Sequence, residues 1–479
     1  MSSAATRRTT LLAKLGAIVG AEHVIDDRAE LLRYGTDHTT RWPPAPLAAV
    51  LPASSAEVQA IVRLANREGI ALVPSGGRTG LSGGAVAARS ELVIALDRMR
   101  GIGTVNTEDA TLACEAGVVT ARIQAAAQAA GLYYPVDFAS AGSSQIGGNI
   151  ATNAGGIRVL RHGMTRDRVL GLTVVTGAGE LLQLGRGLVK DNSGYDLRQV
   201  FIGSEGTLGV ICAATLALAA PPPSTAVLVL GAPALAALPA VLAAFRRQCR
   251  LAACEFFSEA ALARVVARQG LARPFAAATP CYTLIEVEVA SDDDLEQALQ
   301  VFDSLRDAGL VSDGVLAQSE AQTRELWRLR EDISDTLAPW QPHKNDIAVR
   351  TSRLPDFIAR AEALFAARFP ALEVVWFGHL GDGNIHLNAL KPAAWSGEGF
   401  QAAGVAIDGA LGALVQEFGG SISAEHGVGL LRKDLLHHAR SAEEIRLMRA
   451  VKAVFDPNHI MNPGKIFDPD CLRPGTGEP

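Results

Sequence analysis

Three stretches set the fold: PSGGRTGLSGG at residues 74–84, SAGSSQIGGNIATNAGG at 140–156 and GSEGTLG at 203–209. Each adjoins a segment that reads as a strand. Glycine lets backbone approach a ligand closely, and its N–H groups can cradle phosphate. The second cluster adds Ser, Thr and Asn side chains, which suits a polar, phosphate-bearing ligand. No G-x-G-x-x-G dinucleotide fingerprint and no G-x-x-x-x-G-K-[ST] loop occurs, so the usual nucleotide motifs are excluded.

Around these clusters, strands and helices alternate. LAAVLPAS is a strand that runs to a helix N-cap at Ser54 or Ser55. EVQAIVRLANREGI has helical periodicity, and ALVP is the next strand. LVIALDRM and TLACEAGVV are strands, ARIQAAAQAAGL is a helix closed by Gly131, and GLTVVTGAGELLQL is a hairpin. Residues 206–245 lack any charge, but Pro221, Pro222, Pro223, Pro233 and Pro239 cut them too short for a membrane span, which needs ~20 residues. They read as a strand end, a linker, a strand (AVLVL) and a helix. Beyond the linker, ACEFF and YTLIEVEV alternate with helices, as in a smaller sheet covered on one face. The class is α+β.

The chain has 479 residues, 48% hydrophobic and 20% charged. That length calls for more than one domain. Lys+Arg total 44 against Asp+Glu 50, a net charge of −6, which argues against nucleic-acid binding. Six cysteines, Cys471 among them, form no C-x-x-C pair, which disfavours disulfides, zinc thiolates and iron–sulfur clusters. The N-terminal LLAKLGAIVG reads as an amphipathic helix, not a signal peptide, so a cytoplasmic location is expected.

The segment VVWFGHLGDGNIHLNAL (374–390) reads as a hairpin. With GDGN (381–384) as the loop, Leu380 pairs with Ile385 and His379 lies opposite His386, their Cβ atoms about 5 Å apart. Asn388 shares that face. Two neutral imidazoles this close suit one divalent metal. AEHGVG (424–429) offers Glu425 as a third ligand beside His426, provided the chain bends at Gly427 and Gly429.

The glycine motifs resemble the FAD-binding domain of the vanillyl-alcohol oxidase/PCMH (p-cresol methylhydroxylase) flavoprotein superfamily. The resemblance implies FAD contacts at Pro74, Ser75, Gly76, Gly77, Arg78, Thr79 and Gly80, and at Ser140, Gly142, Ser144, Gly147, Asn149, Thr152, Asn153 and Gly155. Glu205, Ile211 and Asn462 are implied near the adenosine or ring. Arg78 stands where a covalently linking histidine would be, so a non-covalent flavin is expected, with the arginine neutralising pyrophosphate charge.

H-L-G-D-G-N-I-H-L-N and E-H-G-V-G extend the resemblance to FAD-linked D-2-hydroxy-acid dehydrogenases, the D-2-hydroxyglutarate, D-lactate and glycolate-oxidising group. From it follow His379, His386 and Glu425 as ligands of Zn²⁺, Mn²⁺ or Co²⁺, and His426 as base. Arg330, Ser334 and Lys344 would hold substrate carboxylates, with LWRLREDIS (326–334) read as one helix, and His426 and Asn388 would also face substrate. The implied reaction oxidises a D-2-hydroxy acid, foremost D-2-hydroxyglutarate, by hydride transfer to flavin N5. Electrons would pass to a separate acceptor: an electron-transfer flavoprotein, a quinone or a cytochrome.

The implied architecture is a two-subdomain FAD-binding domain (1–220), a cap domain with an antiparallel sheet (221–425) and a returning C-terminal segment (426–479). Homodimerisation, a peripheral place at the inner membrane and, in a eukaryote, the mitochondrial matrix are compatible with it. D-lactate dehydrogenase or glycolate oxidase activity, a metal-free alcohol oxidase using oxygen and a non-enzymatic subunit are the rival readings.

Overall fold

The computed structural model describes residues 3–39 and 41–468, so Cys471 lies outside it. The chain forms two compact units. The first contains the residues up to Gly156, then Gly163–Pro221, and those from Glu425 onward. The second contains Ile157–His162 and Pro222–Ala424. The spans drawn from sequence differ at three points: Ile157–His162 packs with the second unit, and Pro221 and Glu425 fall with the first.

The first unit has two four-stranded sheets. One runs β1 (Val24–Ile25), β2 (Ala48–Val50), β4 (Leu92–Ala95), β3 (Leu72–Ser75). Both β2 and β3 run parallel to β4. The helix Ser55–Glu68 makes the crossover from β2 to β3. It starts where Ser54 Oγ accepts the Glu57 N–H and stops at Gly69, whose φ of 65° an L-residue seldom adopts. Val58, Ile61, Val62 and Ala65 give it one apolar face, all buried. The other sheet is antiparallel, ordered β5 (Thr111–Glu115), β8 (Gly209–Ala217), β6 (Val169–Thr176), β7 (Leu181–Leu184). The C-terminal segment joins the first sheet: Leu72 N–H donates to Ile460 O at 2.7 Å, and Asn462 N–H donates to Leu72 O at 2.7 Å.

The second unit is built on one seven-stranded antiparallel sheet, ordered β12 (Asp313–Leu316), β9 (Ser224–Ala232), β11 (Cys281–Val289), β10 (Leu251–Ser258), β14 (Glu373–His379), β15 (Asn384–Leu390), β13 (His343–Ala348). It is larger than the sequence reading expected, and both its faces are covered. In β11 every residue from Cys281 to Glu288 is buried, without the alternation a half-exposed strand shows. Ile157–His162 is clamped to this sheet by ion pairs from Arg158 to Glu286 (2.5 Å) and from Arg161 to Glu288 (2.7 Å). The 326–334 segment is not one helix: it breaks at Asp332 between the helices Glu320–Glu331 and Ile333–Leu337. Among the described residues no helix is long and apolar enough to cross a membrane.

Candidate active site

The first two glycine clusters touch through backbone. A Cβ on Gly77 would lie 2.3 Å from Ser143 O and 2.8 Å from Ser144 Cα, so only glycine fits there. By contrast, a Cβ on Gly142 or Gly148 would meet no atom within 4 Å. Beside this open wall, Gln145 Oε1 is buried without a hydrogen-bond partner. Loops that close on each other through one glycine, expose others and leave a buried acceptor unsatisfied fit a ligand rich in hydrogen-bond donors and phosphate.

The remaining residues of the clusters have internal roles. Pro74 and Ser75 end β3, and Pro74 packs on Gly206 of the third cluster. The Arg78 guanidinium pairs with Asp97 at 3.2 Å and lies over the Tyr34 ring at 5.1 Å. Its charge is therefore already matched by a carboxylate. Ser144 and Asn149 both hydrogen-bond the Thr120 hydroxyl, at 2.8 and 2.7 Å. Thr152 bonds back to Gly148 O, and Asn153 accepts the Arg166 N–H. Gly147 packs on Ala116. Ser140 O accepts the Ser143 and Ser144 N–H groups. Gly155 is buried, while Gly76 and Thr79 are half-buried and Gly80 is exposed. Ile211 sits in the hydrophobic core of this unit.

Glu205 is a structural hub. Its carboxylate accepts the N–H groups of Val428 (2.8 Å) and Gly429 (2.7 Å), just beyond His426. Its own N–H donates to Ala151 O, and its carbonyl accepts from Asn462 Nδ2 at 2.7 Å. Asn462 Nδ2 also reaches Gly84 O, while Asn462 Oδ1 is buried without a partner. Burial pushes the Glu205 carboxyl above its ordinary range, against the pull of the two N–H groups and Arg432. Ser82 Oγ donates to His426 O at 2.8 Å. Side chains from the first and third clusters thus hold the His426 loop. Within it, His426 Nε2 lies 3.4 Å from Glu425 Oε1.

In the second unit the hairpin forms, but in another register. The loop is residues 380–383, so His379 pairs with Asn384, and His386 lies opposite Phe377. Leu380, expected in the ladder, is fully buried in the turn. Gly383 has φ 83°, and a Cβ there would lie 2.0 Å from Val349 O. The pairing is shifted by two residues, and side chains alternate with period two, so both histidines still share one face. Their ring centroids are 5.3 Å apart at 80°.

The pairings Asp346↔His386, Lys344↔Asn388 and Val375↔Asn388 bring Lys344, Asp346 and Asn388 to that face. Asn388 is buried, its Oδ1 without a partner. Arg330, from the helix Glu320–Glu331, stacks over Phe377 at 4.9 Å. Across the break at Asp332, Ser334 Oγ accepts from Lys344 Nζ at 2.9 Å.

Two carboxylates on this face were not anticipated. Glu255 is 1% exposed. It contacts His379 Nδ1 at 2.9 Å and Arg330 Nη2 at 2.9 Å. Burial alone would raise its carboxyl, but His379 and Arg330 hold it below the ordinary range. Asp346 accepts Asn384 Nδ2 at 2.8 Å and the Ala424 N–H at 3.1 Å, and lies 3.8 Å from His386 Nδ1. The signal for both was a lone carboxylate inside a strand, in ACEFF and HKNDIA. The donor chemistry fits a divalent metal. Glu255 pairs with Nδ1 of His379, so Nε2 is the ring nitrogen that an ion would take.

Residues 46–185 match the FAD binding domain family, and residues 221–466 match the family of FAD linked oxidases, C-terminal domain. The D-2-hydroxyglutarate dehydrogenase of Stutzerimonas stutzeri is 51% identical, the match covering 95% of this chain and 98% of that protein. The protein of the same name from Xanthomonas citri pv. viticola is 52% identical over 92% of this chain and 93% of its own. In fold, the chain resembles p-cresol methylhydroxylase with substrate bound: TM-score 0.74, 16% identity, covering 96% of this chain and 97% of that one. The chain belongs to the FAD-linked oxidase family, together with the D-2-hydroxyglutarate dehydrogenases that it matches over nearly its whole length.

Proposed function

We propose that this protein oxidises D-2-hydroxyglutarate to 2-oxoglutarate with FAD, non-covalently held, and one divalent ion, most simply Zn²⁺. The observation that carries the reading is the single sheet face that bears His379, His386, Asn388 and Lys344, with Arg330 of the helix Glu320–Glu331 stacked over Phe377 of that face and Ser334 bonded to Lys344. Two imidazoles suit a cation, and two separate cationic side chains suit a substrate with two carboxylates.

FAD, when bound, supplies the hydride acceptor, and the ion supplies a Lewis acid that makes the 2-hydroxyl easier to deprotonate. The glycine clusters of the first unit would hold the FAD. His379 and His386 would hold the ion, with Glu425 as the third ligand that the resemblance implies. Arg330 and the Lys344–Ser334 pair bind and orient the carboxylates. Asn388, buried with its Oδ1 unpartnered, would face the substrate from the same sheet face. His426 Nε2 takes the hydroxyl proton, as an imidazole titrating near neutrality can.

Electrons then pass to a separate acceptor protein or quinone, and a cytoplasmic location suits the reduced cysteines. The test is anaerobic mixing with D-2-hydroxyglutarate, D-lactate, glycolate and D-malate while flavin absorbance is followed. D-2-hydroxyglutarate should bleach the flavin most efficiently, with slow reoxidation in air. Bleaching by none of the four would overturn the reading, and fast reoxidation would make the protein an oxidase. His426→Ala should keep flavin and metal but lose about 10²–10⁴-fold in turnover.

A further inference from the structure

One buried carboxylate joins the two halves of the proposed chemistry. Glu255 stands in the middle of β10, and the pairing Phe257↔Phe377 puts it on the histidine face. Both its oxygens lie 2.9 Å from His379 Nδ1. One of them is also 2.9 Å from Arg330 Nη2. Arg330 is 7% exposed, and its Nε has no hydrogen-bond partner. Among the described residues its one ion pair is with Glu255, and Phe377 covers one face of its guanidinium.

An ionised carboxylate only accepts hydrogen bonds. Nδ1 of His379 must therefore carry the hydrogen, which leaves the lone pair on Nε2. The same carboxylate anchors Arg330 through Nη2, while its Nε donor has no partner in the protein. Neither effect is available to a surface carboxylate, whose contacts water would replace.

We propose that Glu255 is a positioning residue that sets the affinity of the protein for both the divalent ion and the substrate carboxylate, through His379 and Arg330 respectively. The inference rests on the function proposed above and adds to it a residue outside both sets of contacts. It makes cation binding and substrate binding respond together to one substitution. Changing Arg330 should alter substrate affinity with little effect on the ion, and changing His379 should do the reverse.

The experiment uses metal-stripped flavoprotein. Zn²⁺ affinity is measured by competition with a chromophoric chelator, and KM for D-2-hydroxyglutarate by dye reduction after reloading. Glu255→Gln should weaken Zn²⁺ binding by about 10–100-fold, the range for losing an outer carboxylate partner. It should also raise KM by about tenfold or more, with FAD content unchanged. Glu255→Asp, which keeps the charge, should fall between wild type and Glu255→Gln on both scales, and it carries the test if Glu255→Gln does not fold. Wild-type Zn²⁺ affinity or wild-type KM in the substituted protein would overturn the coupling alone. Failure of the wild type to bind Zn²⁺ would overturn the metal reading, and the coupling with it.

Discussion

The carboxylate of Glu205 accepts the backbone N–H of Gly429 at 2.7 Å. The two residues are 224 positions apart in the chain, yet this bond and its partner to Val428 fix the loop that carries His426. The glycines of that loop are required by the packing. A Cβ on Gly427, at φ 81°, would lie 3.0 Å from the Glu205 carboxylate, and one on Gly429 would lie 2.2 Å from Ser82 O. Glu205 thus acts as an anchor of the loop that carries the proposed base.

Glu205→Leu should therefore lower stability by about 1–3 kcal/mol for each N–H left without an acceptor. Turnover should fall further than FAD occupancy does, because the loop loses its position while the glycine wall remains. Denaturation of the holoenzyme, flavin content and kcat measured together check this. Flavin loss with normal turnover per bound flavin would instead make Glu205 a cofactor residue, as the resemblance implies.

The glycine wall makes a paired prediction. Gly77→Ala places a methyl group against the backbone of Ser143 and Ser144, which cannot swing aside, and should cost about 1–3 kcal/mol even without cofactor. Gly142→Ala meets nothing in the protein, so it should leave apoprotein stability unchanged while reducing FAD retention on dialysis. Equal behaviour of the two variants would argue against a cofactor lying along this wall.

Chelation should inactivate the enzyme, and Zn²⁺, Mn²⁺ or Co²⁺ should restore it. His386→Asn should weaken metal affinity by more than about 100-fold, since losing an outer partner alone costs about 10–100-fold. Metal content by emission spectroscopy, beside an unchanged flavin spectrum, is the measurement. Activity that survives exhaustive chelation would remove the ion from the mechanism.

Lys465 provides a pH test away from the chemistry. Its ammonium is buried and donates to Val86 O at 2.7 Å. Burial pushes its pKa from 10.5 down to about 8, against the pull of Glu91. Between those values the unfolded chain keeps a proton that the folded chain releases, so stability rises with pH across the window. Below about pH 8 both states are protonated, and the whole cost of burying the charge remains. The gain is roughly 3 kcal/mol, at about 1.4 kcal/mol per pH unit. Lys465→Met should remove it, which denaturant midpoints at about pH 7.5 and pH 9.5 would reveal. An undiminished gain in the variant would assign the slope to another group.

Much of the site was legible because its signals are local. Alternation along VVWFGHL and NIHLNAL put both histidines on one face, and period two made that conclusion immune to a register error of two residues. The register itself was not legible. It depends on Leu380 being buried in the turn and on Gly383 meeting the Val349 carbonyl, contacts between distant segments. Apolar periodicity hid the helix break at Asp332, where Arg328 pairs with Asp332 across the last turn at 3.0 Å.

Residue type and spacing were enough to establish the glycine loops, the strand–helix alternation and the facing of His379 with His386, because each depends on backbone freedom or side-chain periodicity over a few residues. They could not assign Glu255 to His379 and Arg330, or Glu205 to the His426 loop. Those partners are brought together by strand pairing and loop packing across separations that run from 75 residues (330 − 255) to 224. A buried carboxylate must find a partner somewhere, but no local rule says which one.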